Sequence, residues 1–272
     1  MAISTIAIAF FMAIGVLLIG IPVAAVMAAL GLIGGLSTIG WPMVESLGSV
    51  IWSVQNENML TAIPMFILLG EILLRSGLAD RMYISLAAWV GRLPGGLLHA
   101  NMGACALFAA TCGSSVATAA TIGTVAMPAM QERGYRMPGA LGSLAAGGTL
   151  GILIPPSVAM LVYGSITNNS IAQLFMAGVV PGVLLTLIFM AYIAISALRT
   201  PASTRAEEPL SFMERIRLSK YIVPPAIIFG AVMGSLYLGI ATPTESAAMG
   251  CIIAAVLARI SGRFDFALLH HC

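Results

Sequence analysis

The sequence predicts an all-α polytopic membrane protein, and three observations carry that prediction. First, 60% of residues are apolar and only 8% are charged, with a mean hydropathy of +1.03. A soluble domain carries about 25% charged residues, so most of this surface has to face lipid rather than water. Second, uncharged runs repeatedly approach or exceed the roughly 20 residues that cross a hydrocarbon core of about 30 Å. Third, the 29 glycines and 14 prolines fall largely inside apolar runs, where membrane helices tolerate them better than soluble helices do. Period-two alternation in units of about ten residues is missing, which argues against an outer-membrane barrel.

The same residues narrow the function classes. The net charge of +2 comes with no Lys/Arg stretch interleaved with aromatics, so nucleic acid is not an expected partner. Cys105, Cys112, Cys251 and Cys272 have neither metal-ligand nor CxxC spacing and read as small packing residues. No Lys or Arg precedes the first apolar run, which is also too long for a cleaved signal peptide. HExxH, GxSxG and P-loop patterns are missing, so neither an enzyme nor a nucleotide-driven pump is expected.

Taken in order, Ile3–Leu36 carries no charge and as one helix would be about 51 Å long. One tilted helix and two short crossings both fit; Gly20-Ile21-Pro22 at the middle favours two. Ser37–Glu57 contains Glu45 and Glu57 but no Lys or Arg, and is expected to be an outside loop. Asn58–Leu74 is the next crossing, with Pro64 and Glu71 inside it. Arg75, Arg81 and Arg92 follow, and the positive-inside rule places them in the cytoplasm. Met82–Val90 is too short to cross and is expected at the interface.

Leu93–Met130 is again uncharged, with Arg92 on one flank and Arg133 and Arg136 on the other. One crossing would leave one basic flank outside, and two full crossings need about 40 residues plus a turn. A re-entrant helical hairpin entering and leaving on the cytoplasmic side resolves this, with Thr111–Ser115 as its tip. A bent pair of short full crossings is the other geometry. The following run holds Pro155-Pro156 at its middle. Two prolines remove two amide donors and bar the preceding residue from helical geometry. Freed carbonyls in hydrocarbon cost several kcal/mol each, so the break has to be buried in protein or line a cavity. Ala177–Leu198 crosses back. Arg199–Lys220 collects eight charged residues, five of them basic, and reads as a cytoplasmic connector, partly an amphipathic helix along the membrane. Tyr221–Ala241 and Ser246–Ala258 form a last pair of spans around Thr242-Pro243-Thr244-Glu245, with Arg259 and Arg263 returning to the cytoplasm.

Two stretches carry the candidate chemistry. At the hairpin tip, Gly113, Ser114, Ser115 and Thr118 offer backbone N–H groups and hydroxyls at a helix N-terminus, a setting for an anion. The hydroxyl and carbonyl oxygens of the same turn suit a hard cation such as Na⁺, with Ser114 and Ser115 as ligands. The plainer reading is that the hydroxyls cap the following helix. At the break, Gly147, Thr149, Pro155, Pro156 and Ser157 belong to a discontinuous helix, whose half-helix ends form ion and substrate sites in transporters; a packed proline kink is the alternative. Gly139, Ser143, Gly147 and Gly151 recur every fourth residue and read as a close-packing stripe. Glu71 and Glu245 lie within predicted spans and are functional suspects, though Glu71 can pair with Arg75 and Glu245 can cap a helix start. His99 reads as a hydrogen-bonded structural histidine.

The runs GSSVATAATIGTVAMP at Gly113–Pro128, GSLAAGGTLGILIPPS at Gly142–Ser157, IPMFILLGE at Ile63–Glu71 and Thr242-Pro243-Thr244-Glu245 resemble the large membrane subunit of tripartite ATP-independent periplasmic (TRAP) transporters, nearly along the whole chain. The resemblance implies a secondary transporter of the bacterial cell inner membrane. It implies two inverted repeats, each with a re-entrant hairpin and a broken helix, an elevator motion and Na⁺ as coupling ion without other cofactors. It also implies a periplasmic substrate-binding protein delivering organic acids such as C4-dicarboxylates or sialic acid, and a small four-helix membrane subunit as partner. By position, Gly113, Ser114, Ser115 and Thr118 would form the first hairpin tip, and Gly147, Thr149, Pro155, Pro156 and Ser157 the first broken helix. The N-terminus would lie outside.

On this reading residues 1–198 form the first repeat, with the hairpin at about 93–131 and the broken helix at about 137–175. Residues 199–220 are the connector, and 221–272 begin a second repeat that is expected to be incomplete here. The competing expectations are a truncated, non-transporting membrane scaffold, or a proton-coupled transporter of the same architecture.

Overall fold

The computed structural model describes residues 3–199 and 211–261. The chain divides into two compact units, residues 1–57 and 58–272. Among the described residues every regular element is helical, as a lipid-facing backbone without water requires. Arg263 and the Phe264–Cys272 tail lie outside the described residues.

In the first unit, α1 (Ile3–Leu18) and α2 (Val23–Thr38) are separate helices. Gly20 takes φ +93°, a left-handed conformation that favours glycine, and Pro22 precedes α2 with an extended backbone. The split therefore falls at Gly20-Ile21-Pro22, as the sequence predicts. Each helix is about 24 Å long. The expected Ser37–Glu57 loop is instead mostly helix: α3 runs from Pro42 to Gln55. Pro42 sits at a position where a helix tolerates its missing amide, Glu45 meets the positive end of the helix dipole, and Met43, Leu47, Val50 and Val54 recur at helical spacing. A reading by charge alone passes over that period.

The second unit is built around one central helix. A single 3₁₀ turn, Asn58–Thr61, leads into α4 (Ala62–Arg75), followed by α5 (Leu78–Val90), α6 (Leu97–Cys112) and α7 (Ser115–Glu132). Helix α6 packs against α4, α5 and α7, and Ala100, Ala104, Cys105, Phe108 and Cys112 are buried on it. Close approach needs small residues, and they are present: a Cβ at Gly70 would lie 2.6 Å from Cys112 Cβ. Cys105, Cys112 and Cys251 are buried free thiols, which fits their reading as packing residues.

Helix α8 (Met137–Leu153) and α9 (Val158–Thr167) flank the Pro155-Pro156 break, and α10 (Ile171–Arg199) returns. Both α8 and α10 also pack on α6. The second half-helix ends at Thr167, short of the expected residue 175, because Asn168 adopts φ 54°. Asparagine is among the few side chains that occupy the left-handed region. As a result α10 starts at Ile171 rather than Ala177. Helix α11 (Phe212–Ser219) opens on a Ser211/Glu214 capping box. It exposes Phe212, Met213 and Ile216 beside Arg215 and Arg217, and Trp89 of α5 anchors it by donating Nε1–H to Ser219 Oγ at 2.8 Å. Residues 200–210 of the connector lie outside the described residues. Helices α12 (Val223–Tyr237) and α13 (Pro243–Ile260) complete the unit.

Among the described residues, Met137–Thr167, Ile171–Arg199 and Pro243–Ile260 are each long and apolar enough to span a bilayer. The protein is an all-helical polytopic membrane protein.

Candidate functional site: the hairpin tip against the helix break

Helices α6 and α7 are packed on each other and joined by only Gly113 and Ser114, which makes them a helical hairpin with its tip at the expected place. Gly113 ends α6 in the left-handed conformation, φ +65°. A Cβ there would lie 2.3 Å from the Pro156 carbonyl oxygen, so glycine is required twice, by conformation and by space. The Val158 amide, at the start of α9, donates to the Gly113 carbonyl oxygen at 3.0 Å. Tip and break are thus joined backbone to backbone.

Glycines of α8 complete the contact. A Cβ at Gly151 would lie 2.7 Å from the Ser115 backbone nitrogen, one at Gly148 2.9 Å from Ala119 Cβ, and one at Gly147 2.7 Å from Cys105 Sγ. Pro155, Pro156 and Ser157 are all buried, and the Pro155-Pro156 peptide is cis. The broken backbone is therefore enclosed by protein, which removes the cost of freed carbonyls facing lipid.

Both helix starts at this junction are capped by serine in the same way. Ser114 (φ −123°, ψ 124°) accepts from the Ala117 amide at 3.3 Å, and Ser157 (φ −125°, ψ 126°) accepts from the Met160 amide at 3.5 Å. Ser157 Oγ also donates to the Ile152 carbonyl at 2.6 Å, closing the end of α8. Two positive helix starts, α7 and α9, and two negative helix ends, α6 and α8, therefore meet here.

The remaining hydroxyls separate into three cases. Ser115 Oγ is buried and has no hydrogen-bond partner. Thr118, fully buried, lies 3.5 Å from Cys112 Sγ through its Oγ1. Thr149 is elsewhere: it is exposed on the face of α8 away from the hairpin, and its hydroxyl donates to the Ala146 carbonyl at 2.6 Å. The structure brings together Gly113, Ser114, Ser115, Thr118, Gly147, Pro155, Pro156 and Ser157, and leaves Thr149 out. Among the described residues there is no cluster of His, Cys, Asp and Glu suited to a metal. The oxygens available at the junction belong to hydroxyls and carbonyls, the donors that hard cations accept.

The sequence-level suspects resolve into structural roles. Glu71 pairs with Arg75 one turn away. Glu245 accepts from the Thr242 amide at 2.8 Å in a capping box at the start of α13. His99 Nε2 lies 2.8 Å from the Pro94 carbonyl. Gly178 and Gly182 of α10, not singled out in the sequence, matter more: their Cβ positions lie 2.7 Å from the Leu153 carbonyl oxygen and from Ile154 Cγ1 respectively. Their four-residue spacing is the signal that could have revealed this close approach.

Comparisons with known proteins place the sequence in a family. A family model described as "Tripartite ATP-independent periplasmic transporter, DctM component" matches residues 6–271. The C4-dicarboxylate TRAP transporter large permease protein DctM of Pseudomonas aeruginosa is 38% identical over 85% of this chain and 54% of its own length. The ectoine TRAP transporter large permease protein TeaC of Halomonas elongata is 34% identical over 90% of this chain and 57% of its own. The sialic acid TRAP transporter permease protein SiaT of Haemophilus influenzae is 35% identical over 83% of this chain and 36% of its own. The chain spans about half the length of the first two of these, and less of the third. From the match of the family model over nearly its whole length, the chain belongs to the DctM family of TRAP transporter components.

Proposed function

We propose that the protein serves as the large permease subunit of a secondary transporter that takes up organic acids across the bacterial inner membrane, coupled to Na⁺. The observation that carries this reading is the junction itself. A buried, unpartnered Ser115 hydroxyl sits where a capped hairpin tip is bonded to a broken helix. An unmet hydroxyl inside protein costs about 1–3 kcal/mol, a cost that a bound cation removes. Helix breaks of this kind bind ions and substrates in secondary transporters. On this reading Ser114, Ser115, Thr118 and Ser157 line the ion site, and a periplasmic binding protein and a small four-helix membrane subunit complete the system. The substrates in the relatives' names, C4-dicarboxylate, ectoine and sialic acid, occur at 38%, 34% and 35% identity, so similarity does not choose among them.

The test is uptake in proteoliposomes containing the complete permease, the small subunit and a substrate-loaded binding protein. Uptake of a dicarboxylate or sialic acid that requires an inward sodium gradient supports the proposal. Uptake driven equally by a proton gradient without sodium replaces it with proton coupling. A protein that neither transports nor changes its protease sensitivity with sodium and substrate is a scaffold.

A further inference from the structure

The every-fourth stripe of small residues on α8 is used in two different ways. Its outer half packs, with Gly147 closed off by Cys105 and Gly151 by Ser115. Towards the start of the helix only Ser143 packs, buried and accepting from Asn101 Nδ2 at 2.9 Å, while nothing lies within 4 Å of a Cβ position at Gly139 or at neighbouring Gly142. These two glycines open onto a cavity of about 470 Å³ between α8 and α10, within the roughly 300–1,000 Å³ of small-molecule sites.

We infer that this groove holds one anionic phospholipid from the leaflet at the basic ends of α8 and α10. The lining changes character along its length. Arg136 and Ser196 stand at one end, and Ala146 and Phe189 at the other. From Arg136 to Ala146 the groove follows α8 for about 15 Å, half of a hydrocarbon core of about 30 Å, the depth of one leaflet. Arg136 is exposed and makes no ion pair among the described residues, and Arg199 ends α10 on the same side. A cation at the mouth of an apolar slot one leaflet deep suits a phosphate head with an acyl chain behind it. Basic pockets between membrane helices bind anionic head groups in this way. Free phosphate would use Arg136 alone and leave the apolar walls uncovered.

The test is native mass spectrometry of the full chain in mild detergent, titrated with phosphatidylglycerol, phosphatidylethanolamine or inorganic phosphate. One phosphatidylglycerol should be retained in preference to phosphatidylethanolamine. Arg136→Gln should weaken retention about fivefold. Gly142→Leu, whose side chain enters open space, should abolish it. Arg217→Gln, on α11 and outside the groove, should leave it unchanged. Should Gly142→Leu lower the unfolding temperature, the exposed Arg136→Gln carries the test by itself. Equal retention of the two lipids overturns the inference, as does wild-type retention by Arg136→Gln, or displacement of the lipid by millimolar inorganic phosphate. An equal loss in Arg217→Gln overturns it too, because it shows only a general attraction of the basic surface.

Discussion

Ser114 and Ser157 lie 43 positions apart in sequence yet share one backbone conformation, within 2° in both φ and ψ, and each caps the first turn of its own helix. Their consequences differ because Ser157 has a second bond, to the Ile152 carbonyl. Ser114→Ala should cost about 0.5–2 kcal/mol, the usual loss of an N-cap. Ser157→Ala should cost more, since it also strands a carbonyl at the helix break. Unfolding of the purified protein in detergent, followed by circular dichroism, checks the order; a larger loss at Ser114 would contradict the bonding described above.

Ser115→Ala is expected to behave in the opposite sense. Its hydroxyl has no partner to lose, so stability without sodium should hold or rise. If the hydroxyl is an ion ligand, the sodium concentration for half-maximal uptake should rise by roughly five- to 150-fold, the equivalent of about 1–3 kcal/mol. Uptake by the complete two-repeat transporter in liposomes measures this. An unchanged sodium dependence in Ser114→Ala, Ser115→Ala and Thr118→Ala together would mean that the ion binds elsewhere.

Two glycines of α8 should respond oppositely to the same substitution. Gly151→Ala forces a methyl group to 2.7 Å from the Ser115 backbone nitrogen, and neither backbone can yield easily, so a loss of about 1–3 kcal/mol is expected. Gly142→Ala meets open space and should gain up to about 1 kcal/mol from improved helix propensity. Parallel thermal melts give both signs.

Glu245 should prove structural. Its carboxylate caps the Thr242 amide, a bond that glutamine also makes. Glu245→Gln should therefore retain stability and uptake, and Glu245→Ala, which removes one arm of the capping box, should lower the melting temperature. Abolished uptake in a stable Glu245→Gln protein would show that the carboxylate has a role beyond capping.

Arg92 and Arg133 are both exposed and flank the hairpin. A re-entrant hairpin places both in the cytoplasm. Single cysteines there, in a cysteine-free background, should resist an impermeant thiol reagent added to intact cells. Labelling of either one from outside rules out that topology.

Much of this site was legible because it rests on local chemistry. Pro155-Pro156 dictates a break whatever surrounds it, and Gly113-Ser114 is a turn followed by a cap. Tertiary relations were harder. The 100° turn per residue alone puts Thr149 on the wrong face once Gly148 and Gly151 touch the hairpin, but which face touches is set by packing. The isolation of the Ser115 hydroxyl depends on every neighbour at once. Helix α3 is hard to read because Glu45 within it and Glu57 just beyond it outweigh a visible helical period, and the open space beside Gly139 because a small-residue stripe looks the same whether or not its groove is filled.

The Gly113–Val158 hydrogen bond and the glycine-lined seam beside it have a consequence for any moving cycle. Parting the tip from the break means rupturing a main-chain bond and exposing two helix ends together, an expensive way to open a gate. Sliding the pair as one block past the rest of the membrane assembly leaves the seam intact. The lower-cost motions of the protein should therefore be sought at the outer faces of this block, not inside it.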